Sequence, residues 1–494
     1  MYSSFIPSFL AFTVAMASPT DIRSASTAST ADVVVIGAGL SGLQTAVNIQ
    51  AAGYSCIVLE AIDRVGGKVL SIKSSSNSTG VNDEGAAWVN DSNQSEIWKL
   101  FEKYNVGALV QRVTGLSFQE AANGSVEAHP YDKDSPDSCS KEGDVSQAVE
   151  LQKIYAAIDE AVEASDLEHP ETGPDAQKLD NITFAEFCQE AGPTIGAGIA
   201  SVATGALLGV EADEVSALYI INYIKSGYGV RVITSDAKDG AQYIRGRRGM
   251  QTIAEGLASE LTPGSIHLNT VVKSVEQKDD GSYEVNSTTG AIFAAKHVVV
   301  SIPSPLYKTI EFTPALPENK RNLGENTALG YFSKMALVFD KPWWQSANLS
   351  GVMTSVKGPV AFTRDTSSPD DSQWSITCFL VGEMGREWNK FSEAERQKAV
   401  LDQFNSVFST VANVPTPIAI HEKIWAEEPY FYGAPSPVMA PGVLTSLGSD
   451  VLREAAGNIH FVGTETSVVW KGYMDGAVRS GQRGAEEVIK SLRG

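Results

Sequence analysis

Residues 32 to 60 constrain this chain more than any other stretch. The run Val33-Val34-Val35-Ile36 is β-branched and uninterrupted, the pattern of a strand buried on both faces. Gly37, Gly39 and Gly42 follow as G-x-G-x-x-G, and LQTAVNIQAAG then repeats with a helical period up to a glycine suited to a C-cap. A second strand, CIVLE, ends on Glu60. Gly37 permits a tight turn, Gly39 lets a pyrophosphate approach the backbone, and Gly42 lets the helix pack closely on the strand. The helix N-terminus offers N–H donors and a positive dipole end to phosphate. Glu60 is placed to accept from ribose hydroxyls. Strand, glycines, helix, strand and acid in this register predict a parallel α/β unit that binds a dinucleotide.

The residues after Glu60 narrow the dinucleotide. AIDRVGGKVLS carries Arg64, Gly66, Gly67 and Lys68, and NDEGAAWV follows with Ala87 and Trp88. Near the other end, residues 459–485 read IHFVGTETSVVWKGYMDGAVRSGQRGA. An arginine and paired glycines just past the acid are similar to the second fingerprint of FAD enzymes of the glutathione-reductase-like type. The C-terminal run resembles the G-T-E-T…W-x-G-Y-M-E-G-A signature of the flavin monoamine oxidase family, of which the chain is identified as a secreted, fungal-type member. Lys68 stands where that family usually has arginine, which keeps the charge and loses the bidentate fork.

The resemblance implies a fold and a site. The fold is α/β: a discontinuous glutathione-reductase-like Rossmann domain for FAD over 31–92, 245–302 and 428–494, with a mixed α+β substrate domain over 93–244 and 303–427. It assigns Gly463, Glu465, Tyr473 and Met474 to the cofactor, with Met474 opening a helix aimed at the flavin C2 carbonyl, where negative charge develops on reduction. The backbone of Val272 is placed at the adenine. Lys308, in SIPSPLYKTIEF, falls where the family keeps a lysine that holds a water near flavin N5, and Tyr473 matches one wall of the family's aromatic cage. EEPYFYGAPSPVMAPGVLT aligns with the stretch that bears the family's covalent cysteine and second cage ring; here those positions are Ala434 and Pro435. Alanine forms no thioether, so non-covalent FAD is expected. Proline has no π face, so the cage is broken, with Tyr430, Phe431 and Tyr432 nearby.

The expected reaction is hydride transfer from a carbon next to nitrogen to flavin N5, with O2 as acceptor. The alternative is an oxidative cyclase or dehydrogenase of a nitrogenous secondary metabolite, of the β-cyclopiazonate oxidocyclase type. The partners expected are a small nitrogenous substrate and O2, and a homodimer is left open. A formal net charge of −21 repels a phosphate backbone, so nucleic acid is not expected. No metal site is expected, because the six histidines are scattered.

Residues 1–17, with an apolar run closing on Ala15-Met16-Ala17, read as a secretory signal, and 18–30 as a flexible leader. No later stretch is apolar enough to span a bilayer. Sequons begin at Asn77, Asn90, Asn93, Asn123, Asn181, Asn286 and Asn348, which fits a glycoprotein in the secretory pathway, extracellular or vacuolar. Four cysteines exclude a disulfide framework. Cys56 reads as buried and inert, and a Cys139–Cys188 bridge is left open. The segment from Asp132 to Asp144 reads as an acidic solvated loop.

Overall fold

The structure is a computed structural model that describes residues 28–76, 78–131 and 145–494. The signal segment, most of the leader, the Asn77 sequon, the acidic loop and Cys139 lie outside the described residues. The expected strand forms over Ser29–Ile36, so Ser29 and Thr30 belong to it and not to the leader.

Five strands run parallel, in the order Ile266–His267, Cys56–Leu59, Ser29–Ile36, Ile292–Val300 and Ile459–Phe461. Val33 and Val35 face one apolar cluster, Val34 and Ile36 the other. That two-faced burial is why the run carries no polar alternation. Ile292–Val300 is the branching strand. Its last residues pair with Ile459–Phe461, and its first ones pair antiparallel with Tyr283–Ser287. The meander continues through Val272–Gln277 to Glu311–Thr313, which puts this last strand in the first sheet although it lies beyond the expected boundary at 302.

The helix Leu40–Ala51 lies against the C-terminal helix Met474–Arg493. Their contact is close because Gly481 has no side chain; a Cβ there would sit 2.5 Å from Ser41 O. Thr45 Oγ1 donates to Gly481 O across the same contact, at 3.1 Å. Segments more than four hundred residues apart therefore pack directly on one another.

A second sheet has seven strands in the order Ala419–Ile424, Phe332–Phe339, Trp374–Val381, Phe362–Asp365, Leu349–Ser355, Leu116–Glu120 and Val126–Pro130. Helices Val145–Ala164, Phe184–Ala191, Gly196–Leu208 and Ala217–Ser226 form a separate layer. Thr183 and Glu186 close a capping box on Phe184–Ala191, where the pattern NITFAEFCQEAG predicts a helix. A short sheet of Trp88–Val89, Ile244–Gly246 and Ala108–Val110 joins the two halves. Buried Arg245 ties that junction to the second sheet, donating to Thr366 O at 3.0 Å and Ser367 O at 2.7 Å. The architecture is mixed α/β. Among the described residues no helix is long and apolar enough to cross a membrane.

Cys56, Cys188 and Cys378 are buried with free thiols. Of the described sequons, Asn123, Asn181 and Asn348 are exposed. Asn90 is not. It is fully buried, and its side chain accepts from the Asn93 N–H at 2.9 Å, so the folded protein has no room for a glycan there.

Candidate active site

A cavity of about 620 Å³ starts at the C-terminal ends of the parallel strands and runs between the two sheets. Gly37, Glu60, Ser301 and Gly463, each just past a strand end, line its first part. Ligands of open parallel sheets sit in this crevice because the loops there diverge and helix N-termini point into it.

The glycines divide the work. Gly37 has φ +103°, a conformation that costs other residues strain. A Cβ on Gly42 would stand 2.1 Å from Gly37 O, so Gly42 closes the turn without lining the cavity. A Cβ on Gly39 would meet no protein atom within 4 Å and would project into the space over the helix N-terminus, where no side chain caps the first N–H groups. Glu60 is buried, its carboxylate accepting from Ala38 N at 2.7 Å and Ile62 N at 3.1 Å. Burial raises its pKa against those two bonds. Gly67, Lys68, Ala87, Trp88, Val272, Glu465, Tyr473 and Met474 also line the cavity. Lys68 Nζ donates to Pro435 O at 3.1 Å, and burial pulls its pKa down to about 8. Buried Glu465 accepts from Ser304 N at 3.1 Å, and burial raises its pKa. An uncapped helix N-terminus, a side-chain-free approach at Gly39, an inward carboxylate and a half-buried ammonium fit a dinucleotide with an anionic pyrophosphate.

Two expected residues are placed elsewhere. Arg64 lies behind the loop, outside the cavity. Its Nη1 donates to Val69 O at 3.2 Å, and its Cζ sits 5.8 Å from the Phe431 ring centre, so it braces the turn from outside. Lys308 is corrected outright. It sits on the short 3-10 turn Ser304–Thr309, is exposed, and does not line the cavity. The turn presents buried Leu306 and Tyr307 inward, which leaves the lysine facing solvent.

A second lysine, Lys334, lines the cavity together with Lys68, and residue-by-residue reading missed it. It lies near the start of Phe332–Phe339, an interior strand of the second sheet, and is buried. Nζ donates to Gly85 O at 2.5 Å and to Asp83 O at 3.0 Å, and stands 5.4 Å from the Trp88 ring. A lone cation heading the apolar run MALVF was the available signal. Beside it, Glu84 is buried, and both its carboxyl oxygens lack a hydrogen-bond partner among the described residues. Burial pulls the Lys334 ammonium down to about 8, against the opposing pull of Glu84, and pushes the Glu84 carboxyl up, so near neutral pH the lysine keeps its charge while the carboxyl is driven toward its neutral form.

Tyr473 immediately precedes the helix Met474–Arg493, and its ring lies 5.9 Å from that of Tyr223 and 4.8 Å from Trp470. Burial raises both phenols above the ordinary tyrosine range. Ala434, Pro435, Tyr430 and Phe431 line the cavity; Tyr432 does not, and is 56% exposed. The far part of the cavity is aliphatic and aromatic, walled by Ile199, Val202, Leu207, Phe332, Phe362 and Phe379.

The sequence pattern of the flavin containing amine oxidoreductases matches residues 40–489. A probable flavin-containing monoamine oxidase A of Dictyostelium discoideum is 31% identical over 476 residues, covering 93% of this chain and 98% of that protein. A flavin-containing amine oxidase B of Sus scrofa is 28% identical, with 94% and 87% covered. The structure of cyclohexylamine oxidase from Brevibacterium oxydans IH-35A superposes with a TM-score of 0.84 at 27% identity, over 94% of this chain and all of that one. The chain belongs to the flavin-containing amine oxidase family. It is an FAD-dependent oxidoreductase.

Proposed function

We propose that this protein oxidises a small amine, accepting hydride from the carbon next to nitrogen, with O2 as the final acceptor. The single observation that carries this reading is the placement of Lys334 and Tyr473 on one cavity with the glycine turn and the C-terminal helix. FAD, when bound, would supply the hydride acceptor and the route for electrons to O2, with peroxide as the product. The chain does the rest. Gly39, Glu60 and the first N–H groups of Leu40–Ala51 hold the dinucleotide, in a glutathione-reductase-like Rossmann arrangement over 31–92, 245–302 and 428–494. Lys334 takes the role expected of Lys308: two backbone carbonyls fix its Nζ, leaving one N–H for a water and a positive charge where O2 is reduced. Tyr473 and the aromatic walls exclude water and orient an uncharged amine.

With alanine at 434 and no cysteine lining the cavity among the described residues, FAD is held without a covalent bond. Secretion and glycosylation at exposed Asn123, Asn181 and Asn348 are part of the same proposal, tested by a glycosidase-sensitive change in gel mobility. Oxidative cyclisation gains no support from the comparisons. The test of the main reading is anaerobic mixing of purified yellow protein with a panel of primary amines. Loss of the oxidised flavin band supports amine oxidation; an unchanged spectrum with every amine rejects it.

A further inference from the structure

The cavity wall opposite the dinucleotide end is largely apolar. Arg364, on the strand Phe362–Asp365, lines the cavity beside Phe362. Phe362, Phe379 and Lys334 are register partners across three adjacent strands, and the two phenyl rings stack at 4.4 Å. Arg364 lies two residues beyond Phe362, so it shares a face with that row. At ordinary strand spacing its Cα is about 12 Å from that of Lys334.

The guanidinium is braced from behind. Nε lies 3.2 Å from Asp236 Oδ2, the Tyr131 hydroxyl donates to the same oxygen, and Nη1 donates to Thr363 O at 2.9 Å. Among the described residues Nη2 has no hydrogen-bond partner, and the side chain keeps 20% of its surface open. A fixed fork with an unused edge in an apolar wall is the geometry that binds a carboxylate. Among the described residues the carboxylates that line this cavity are Glu60, Glu84 and Glu465; the first and last belong to the dinucleotide end, and Glu84 stands beside Lys334. Asp236 does not line it. A second ammonium on the substrate would thus meet a guanidinium, while a carboxylate would meet a donor.

We infer that Arg364 is a specificity-determining residue and that the substrate is an amine carrying a carboxylate within a few bonds of the reacting carbon. This rests on the amine-oxidase reading above and narrows it. The reaction balances as before: the carbon next to nitrogen loses hydride to the flavin, the nitrogen loses a proton, and the resulting imino acid is hydrolysed to the oxo acid and ammonia.

The holoenzyme decides it with matched pairs under anaerobic conditions: each enantiomer of phenylalanine against 2-phenylethylamine, and 4-aminobutanoate against butylamine. We expect the carboxylated member of at least one pair to bleach the flavin with about 100-fold greater efficiency. Arg364→Leu should lower that efficiency by about 10²–10³-fold and leave the decarboxylated partner within about threefold. Because that change strands Asp236, the double variant Arg364→Leu/Asp236→Asn should show the same split, and Arg364→Lys an intermediate loss. Titration of oxidised enzyme with 3-phenylpropanoate, which carries no amine, should perturb the flavin spectrum in the wild type and bind at least about tenfold more weakly in the Leu variants. Bleaching by plain amines and by no carboxylated one, or equal losses on both members of a pair, overturns the inference and leaves amine oxidation standing. Bleaching by none of the compounds overturns both.

Discussion

At the residue scale, two lysines separate what a motif suggests from what burial dictates. Lys308 sits in a sequence context that matches, yet its side chain is exposed on a 3-10 turn. Lys334 sits in an apolar strand, where an ammonium needs a reason to be retained. Its reason is the segment Asp83-Glu84-Gly85, which turns two carbonyls onto Nζ. Replacing Lys334 by Met should keep FAD bound and slow flavin reoxidation by O2 about 10–100-fold, measured by stopped-flow after anaerobic reduction. Lys308→Met should reoxidise at the wild-type rate. The opposite pattern would return the role to Lys308. The same scale accounts for Ala434 and Pro435, which remove a tether and a ring from the cavity while Tyr223 packs beside Tyr473.

At the element scale, the branching strand Ile292–Val300 holds the molecule together, and it carries a titratable weak point. His297 Nδ1 lies 3.3 Å from His460 Nε2 on the neighbouring strand, and His460 Nδ1 lies 3.4 Å from Glu487. Two of the six histidines that look scattered along the chain are brought together by the parallel register Val298↔Ile459. Burial, then the His460 and Lys296 charges, pull His297 down to about 4, against the opposing pull of Asp32. An unfolded histidine titrates near 6.5, so the unfolded state binds more protons between these values. The stability this group contributes is complete above about 6.5 and is lost as pH falls toward 4, by about 3 kcal/mol. Thermal unfolding of the wild type should therefore steepen its acid dependence across that window, and His297→Gln should flatten it. An identical profile for both would remove His297 from the account.

At the scale of the whole molecule, the cofactor cleft is built from loops distant in sequence. The turn after Ser29–Ile36, the segment after Cys56–Leu59, the end of Ile292–Val300 and the run from Gly463 to Met474 meet only when the chain is folded. On the proposed reading FAD binds that assembled cleft and not the unfolded chain, so it would add to stability by mass action. Acid precipitation should leave the flavin in the supernatant. At a concentration 100-fold above its Kd, FAD should stabilise the protein by about 2.7 kcal/mol over the apoprotein, read as a higher unfolding temperature that depends on FAD concentration. A yellow precipitate, or identical melting of the two forms, would contradict a reversible cofactor.

Local pattern alone was enough for the strand–turn–helix start, the helix Phe184–Ala191, the family and the cofactor, because each depends on spacings within a few turns of chain. The G-x-G-x-x-G register works the same way wherever it occurs, and Gly37 and Gly42 are needed for contacts within six residues. Tertiary structure alone decided which lysine is buried, that Arg64 braces a turn from outside, that Asn90 is sealed, and that Arg364 faces the cavity. Those outcomes depend on which sheet face a side chain meets after strands more than two hundred residues apart have come together, and desolvation, which no local spacing encodes, then selects among them.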